Sequence, residues 1–352
     1  MSKVKVALIG AGNIANAHLE AYQNVPDAEI VAICDINPKR LEKTANRFGI
    51  ERRYPDVDSM LADNPDLDAA DVCVWNVNHA SCAIKALDAG LNVLCEKPMA
   101  YSAKEAAEMI EAAERNGKLL MIGFVLRFSD DARIALDFID KGYLGDIYYS
   151  KAQYVRRHGN PGGWFGNKAL SGGGPIIDLG VHVIDFTRYM MGNPKPVSVY
   201  AVASERLGAR KHLKTGPGWV PEDANETDIC DVEDFATALI RYDNGACTFL
   251  ETSYDINGED IGKRQLFGTK GGMDLSNGVK LYTTVNDYLA DIDIKTAGLK
   301  DSQDMFTGEM AHFIDCVKNG TECRAKAEDG LAVMKILDAI YESARTGHEV
   351  IL

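Results

Sequence analysis

Residues 3 to 9 form a β-rich apolar run that ends in a glycine turn, Gly10-Ala11-Gly12-Asn13-Ile14-Ala15, and the residues after it, to about Gln23, repeat their apolar positions at helical spacing. A second strand is predicted over Glu29 to Cys34, followed by Asp35 and a helix from Pro38 to Phe48, which completes a strand–helix–strand unit. Val72 to Val74, Asn92 to Cys95 and Leu119 to Phe124 read as further buried parallel strands, with helices over Cys82 to Ala89 and Ala103 to Asn116. Such alternation predicts an α/β fold with a doubly wound parallel sheet.

Beyond about Leu126 the rhythm changes. Ile147 to Arg157, Val197 to Ser204, Phe235 to Tyr242, Ala246 to Tyr254 and Arg264 to Gly268 are strand-like runs with few helices between them, so a large, mostly antiparallel sheet is expected. Tyr242-Asp243-Asn244-Gly245-Ala246 predicts a hairpin, in which Asn-Gly can supply positive φ angles. Two late helices are expected around Met305 to Lys318 and Gly330 to Thr346, and Gly208 to Asp231, rich in Gly, Pro and charge, reads as a long surface excursion. The division that follows is a dinucleotide-binding domain over 1–126 and an α+β domain over 127–352.

A chain of 352 residues at 46% hydrophobic and 26% charged buries enough apolar surface for two domains. Its formal charge of −14 gives no general attraction to phosphate backbones or anionic lipid surfaces, so neither nucleic acid nor membrane is an expected partner. The apolar run Val6 to Ile9 is too short for a signal peptide, and no later run is long enough to span a bilayer, so a soluble, cytoplasmic protein is expected. The eight cysteines form no Cys-x-x-Cys pair with metal or redox spacing and read as reduced core residues.

The glycine turn carries the first chemistry. Gly10 allows a tight turn and Gly12 lets the backbone approach a pyrophosphate at a helix N-terminus, with Ala15 in place of a third glycine. Asp35, at the end of the second strand, is placed to accept hydrogen bonds from ribose hydroxyls and to repel a 2′-phosphate, which favours NAD, although Arg40 nearby leaves room for NADP. The alternative role for Asp35 is a helix cap before Pro38. Cys95-Glu96-Lys97-Pro98 lies at the carboxyl end of an apolar strand, the edge where open α/β sheets bind ligands, so Lys97 is a candidate to touch substrate.

A glycine loop, Ser171-Gly172-Gly173-Gly174-Pro175, runs into a predicted helix on which Asp178, His182, Asp185 and Tyr189 form a polar stripe and Leu179, Val183, Phe186 and Met190 an apolar one. A carboxylate one turn from an imidazole suits a general base oriented by an acid. The same spacing suits two metal ligands, but no third ligand lies nearby with obvious spacing, and no metal is expected.

These motifs together resemble the Gfo/Idh/MocA oxidoreductase family. The resemblance rests on Gly10 to Ala15, Ala86-Leu87-Asp88-Ala89-Gly90 leading to Glu96-Lys97-Pro98, Gly123-Phe124 with Arg127-Phe128, and Gly172 to Asp185, and it covers essentially the whole chain. It implies a Rossmann domain followed by an open-faced α/β domain whose sheet serves in homo-oligomer contacts, giving a homodimer or homotetramer. It also implies catalytic roles for Lys97, Asp178 and His182, and a cofactor site drawn from Gly10, Gly12, Asn13, Ile14, Asp35, Asn76, His79, Glu96, Lys97 and Arg127. The family often has Thr-Pro-Asn before a histidine where this chain has Val74-Trp75-Asn76 before His79. His18, His212, His312 and His348 carry no motif and read as surface or packing residues.

Arg156-Arg157-His158-Gly159-Asn160-Pro161-Gly162-Gly163-Trp164-Phe165 resembles a branch of the family associated with glycosides and substituted sugars. Strand alternation puts Gln153, Val155 and Arg157 on one face and Arg156 on the other, so Gln153, Arg157 and Trp164 are expected to line the substrate site with Asp178 and His182. The reaction expected is hydride transfer between a secondary ring hydroxyl of a sugar, glycoside or cyclitol and nicotinamide. Two alternatives stand beside it: a redox-neutral NAD-dependent glycosidase or lyase working through a transient keto-sugar, and a non-catalytic sensor of NAD or sugar.

Overall fold

The computed structural model describes residues 2–222, 224–225, 227–296 and 298–352. Among these, strands β1 (Val4–Ile9), β2 (Ala28–Cys34), β3 (Arg52–Tyr54), β4 (Ala69–Val72), β5 (Asn92–Glu96) and β6 (Leu120–Gly123) form a six-stranded parallel sheet in the order β3-β2-β1-β4-β5-β6. The winding reverses between β1 and β4, and the carboxyl ends beside such a reversal are where open α/β sheets bind ligands. Helices α1 (Asn13–Tyr22), α2 (Pro38–Phe48), α3 (Val57–Asp63), α4 (His79–Asp88) and α5 (Ala103–Asn116) connect the strands. Val6, Ala7 and Leu8 are consecutive and fully buried, which explains why β1 reads as a continuous apolar run and does not alternate. The fourth strand starts earlier than its predicted span, because the buried Asp71 interrupts its apolar pattern.

The second sheet is nine-stranded and belongs to a separate compact unit. Its strands are β7 (Ile147–Val155), β8 (Pro196–Ser204), β9 (Phe235–Tyr242), β10 (Cys247–Ser253), β11 (Arg264–Gly268), β12 (Gly272–Asp274), β13 (Val279–Val285), β14 (Tyr288–Ile294) and β15 (Val350–Ile351). They lie in the order β14-β13-β12-β11-β7-β10-β9-β8-β15, and every neighbouring pair is antiparallel except β7 with β10. Helices α6 (Asp130–Asp140), α7 (Lys168–Ser171) and α8 (Val181–Met190) belong to this unit. The strands from β12 onward were not legible in the sequence because β14 is mostly exposed and β13 buries only Val279 and Leu281, too little to set an alternation. At the β9–β10 hairpin only Gly245 takes a positive φ, +84°, while Asn244 uses its side chain to accept from the Ala246 amide at 3.0 Å.

The two units do not follow the division expected at residue 126. The first comprises Met1–Phe128 with Gln303–Leu331, and the second Ser129–Ser302 with Ala332–Leu352. Helix α9 (Met305–Asn319) and the start of α10 (Ala327–Thr346) therefore belong with the parallel sheet. The physical reason is burial of Met310, Phe313 and Ile314 on α9, together with an ion pair from Arg127 to Asp329 at 2.9 Å. Among the described residues no helix is long and apolar enough to cross a membrane.

Candidate active site

In the first unit the glycine turn is dictated by its neighbours. Gly10 has φ +100°, and a Cβ there would lie 2.3 Å from the Cys73 carbonyl oxygen, so only glycine fits. A Cβ on Gly12 would meet nothing within 4 Å, and α1 begins there without a side-chain cap. Asn13 is exposed and Ile14 half-buried in this first turn, a helix start where an anion is favoured. Ala15 is fully buried, packing the helix on the sheet in the manner of the missing third glycine.

Asp35 closes this turn. One carboxylate oxygen accepts from the Ala11 amide at 2.8 Å and the other from the Asn37 amide at 2.7 Å, while the nearest Arg40 nitrogen stands 4.0 Å away. Asp35 is not the cap of α2. Asn37 is, accepting from the Lys39 and Arg40 amides. Ile36, which the sequence reading passed over, is 77% exposed beside this carboxylate and offers an apolar surface.

Lys97 follows a buried charge network that the sequence reading missed. The Glu96 carboxylate accepts from the Lys97 amide at 3.0 Å and meets His18 Nε2 at 3.1 Å, while His18 Nδ1 meets Asp71 at 2.9 Å. His18 is fully buried, not a surface residue. Burial works against its protonation, yet Cys73 and Asp71 outweigh burial and hold its pKa well above the ordinary imidazole value. An imidazolium between two carboxylates thus fixes the strand end from which Lys97 projects. His79 is also buried, with Nδ1 2.7 Å from the Pro98 carbonyl and Nε2 3.0 Å from that of Val74, and burial lowers its pKa. Its ring ties the Pro98 carbonyl to that of Val74 and so joins the chain before Asn76 to the Glu-Lys-Pro segment.

Arg127 requires a second correction. Its side chain has no exposed surface, and its guanidinium donates to the Arg324 carbonyl at 2.5 Å and to Asp329 at 2.9 Å. The guanidinium is held in an internal clamp, whose partners come from the returning segment 303–331 that no local reading of residue 127 could include.

In the second unit, Asp178 sits on a π-helical turn, Ile176–Gly180, that runs into α8 and leaves Asp178 and His182 half-buried. The Tyr254 hydroxyl donates to Asp178 at 3.0 Å, and burial followed by the Asp178 charge pushes that phenol well up, so it remains a donor. Gly173 and Gly174 are forced by close approach. Glu233 accepts from the Gly174 and Ile176 amides at 3.1 Å and from the Tyr341 hydroxyl at 2.9 Å, and burial raises its pKa. Asp185, placed on the polar stripe by periodicity, is buried.

The strand before the glycine loop shows which arginine faces this helix. Tyr154 packs against the cluster of Leu179, Val232 and Tyr254, and Arg156 donates to the Tyr154 hydroxyl at 3.3 Å with its guanidinium 5.2 Å from that ring. Gln153 and Arg157 do not belong to this face. Pairing aligns Gln153 with Glu251, Glu251 with Thr237 and Thr237 with Val202, a row that ends on a side chain 49% exposed, and Gln153 donates to Glu251 at 2.6 Å. Arg157 is exposed. The expectation picked the wrong parity of the alternation because residue 157 lies beyond the strand end and the helix packs on the 154/156 side. Trp164 packs on Phe165 at a tilt of 32° with ring centroids 4.0 Å apart, and Trp219 from the irregular 208–231 segment meets Phe165 edge-on at 5.6 Å.

Comparison with known proteins fits both units. Residues 4–124 match the model of an oxidoreductase family with an NAD-binding Rossmann fold, and residues 137–352 match the C-terminal α/β domain of the same family. The chain is 34% identical over 354 residues to D-glucoside 3-dehydrogenase of Escherichia coli K12, covering 99% of this chain and 97% of that one. It is 26% identical over 340 residues to myo-inositol 2-dehydrogenase of Thermotoga maritima, covering 93% and 92%. A solved structure of levoglucosan dehydrogenase with NADH superposes with a TM-score of 0.85 at 26% identity, covering 99% of each chain.

Proposed function

The chain belongs to the Gfo/Idh/MocA oxidoreductase family, and from that membership we propose that it oxidises a secondary ring hydroxyl of a glycoside, sugar or cyclitol. It is an NAD-dependent dehydrogenase. The open space over Gly12, the uncapped start of α1 and the Asp35 carboxylate fit a dinucleotide, with Gly10 and Gly12 for its pyrophosphate, Asp35 for its ribose hydroxyls and Ile36 for apolar contact with its base. When bound, NAD supplies the hydride acceptor.

In this reading His182 takes the proton of the substrate hydroxyl, Asp178 supports the resulting imidazolium, and Lys97 stabilises the developing alkoxide. The observation that carries it is the Tyr254 bond to Asp178, which orients that carboxyl as an acceptor on the turn before His182. Arg156 and Trp164 are the substrate contacts we favour, an arginine for paired hydroxyls and an indole for a pyranose face. The exposed Tyr200, Val202 and Leu239 on the other sheet face are the surface we assign to a homodimer or homotetramer, and eight free thiols fit a reducing compartment such as the cytoplasm.

A screen of glycosides, hexoses, uronates and inositols with NAD, followed by NADH absorbance, tests the proposal. NADH accumulating in step with keto-sugar supports it. Substrate consumed with no NADH accumulating would replace it with the redox-neutral reaction, and NAD binding without turnover of any member would leave a sensor.

A further inference from the structure

Burial is the leading influence on six of the eight cysteines, whereas for Cys316 and Cys323 it is the hydrogen bond between the two. Burial is the leading cause that raises the thiols of Cys34, Cys73, Cys82, Cys95, Cys230 and Cys247, with Cys34 pushed up to about 12. Cys323 lies in the irregular stretch between α9 and α10, flanked by the exposed Glu322 and Arg324, and is itself only partly buried. His312 and Cys316 are four residues apart on α9 and so share one face of that helix. The returning chain crosses this face: the Arg324 amide donates to His312 Nε2 at 3.0 Å, Cys316 Sγ lies 3.4 Å from the same nitrogen, and the two sulfurs and Nε2 all lie within 4.8 Å of one another.

We propose that Cys323 and Cys316 are a reversible oxidation site, at which a hydroperoxide converts the pair to an intramolecular disulfide. The Cys323 thiolate attacks the peroxide, forming an S–O bond as the O–O bond breaks and hydroxide (or alkoxide) leaves, so the sulfur is oxidised and the peroxide reduced. The Cys316 sulfur then attacks the Cys323 sulfur, the S–S bond forms, the S–O bond breaks, and the Cys316 proton departs with the oxygen as water. Roles follow from the surroundings. Cys323 is held below the ordinary thiol range, chiefly because the Cys316 thiol donates a hydrogen bond to its sulfur, against the opposing effect of burial. That makes the accessible cysteine the nucleophile and the buried one the resolving thiol. The three groups are also a set of donors for a soft metal ion, but the lone pair of His312 Nε2 already accepts the Arg324 amide, which disfavours that use.

Full-length protein, loaded with NAD, is treated with one equivalent of hydrogen peroxide, blocked with iodoacetamide and digested with trypsin without reduction. Trypsin cuts after Lys318, between the two cysteines, so the disulfide joins the peptides 301–318 and 319–324 into one species lighter by two hydrogens than their sum. The expected result is that linked species, its loss on treatment with dithiothreitol, and a Cys316→Ser variant that stops at a sulfenic acid trapped on Cys323 by dimedone. Iodoacetamide alone should label Cys323 at least tenfold faster than any other cysteine. The proposal is overturned if peroxide leaves both peptides unlinked, if Cys323 labels no faster than the rest, or if the purified protein carries one equivalent of zinc that protects both thiols.

Discussion

At Gly12 a Cβ would meet nothing within 4 Å, whereas at Gly173 it would lie 1.8 Å from the Tyr341 hydroxyl and at Gly174 2.4 Å from the Glu233 carbonyl oxygen. Both glycine stretches lead into a helix, yet in the first unit the missing side chain keeps space open and in the second it lets the protein close on itself. Among the described residues, no side chain caps the first helix start. The second has its amides taken by the buried Glu233 carboxylate. A glycine-rich turn before a helix therefore does not mark an anion site by itself; what decides is whether the protein supplies its own acceptor.

The hardest test of this contrast is at Gly10 and Gly12. Gly10→Ala meets both a positive φ and a backbone oxygen, so it should cost about 3 kcal/mol or more and show as a large drop in melting temperature or no soluble protein. Gly12→Ala should leave the melting temperature of the NAD-free protein nearly unchanged and weaken NAD at least tenfold by calorimetry. Equal loss of fold in both variants would erase the distinction.

Within the second unit, His182→Ala should lower kcat by roughly 100-fold or more with little change in the NAD dissociation constant, as expected of a positioned proton-transfer group. Near-normal turnover would remove His182 from that role. A smaller effect separates the two arginines. Arg156→Ala should raise KM for substrate several-fold, while Arg157→Ala, on an exposed side chain, should leave it alone. The reverse pattern would restore the parity read from the sequence.

The smallest effect concerns Glu233. Burial raises its folded pKa above the unfolded value of about 4.3, so its contribution to stability is fully present below that value and is lost as pH rises through the folded pKa. Glu233→Gln removes this dependence. The difference in unfolding free energy between variant and wild type, followed by urea titration from pH 4 to 8, should shift in favour of the variant as pH rises. A difference that stays flat would show that Glu233 ionises in the fold as readily as in the unfolded chain.

What could be read from the sequence was local. The strand, turn and helix around Gly10, the carboxylate at the end of β2 and the Asp178–His182 spacing all lie within a few residues of the signals that mark them. The partners that give these groups their setting lie far along the chain: Tyr254 is 76 residues from Asp178, Glu233 is 59 from Gly174, Glu96 is 78 from His18. No periodicity reports such pairs, since they arise from which strands become neighbours. The errors have the same origin. Arg127 and His18 were read from their own surroundings, and their chemistry is set by Asp329, Asp71 and Glu96.

The return of residues 303–331 to the first unit has a consequence for the order of events during synthesis. At about 5–20 residues per second, Gln303 is made roughly 9–35 s after Phe128, so the parallel sheet waits that long for the helix bearing Met310, Phe313 and Ile314 and for the partners of Arg127. Through that interval the nascent first unit lacks the apolar side chains of α9 that complete its packing. A copy of the chain that stopped at Ser302 would carry every cofactor motif and still lack the segment that completes its fold.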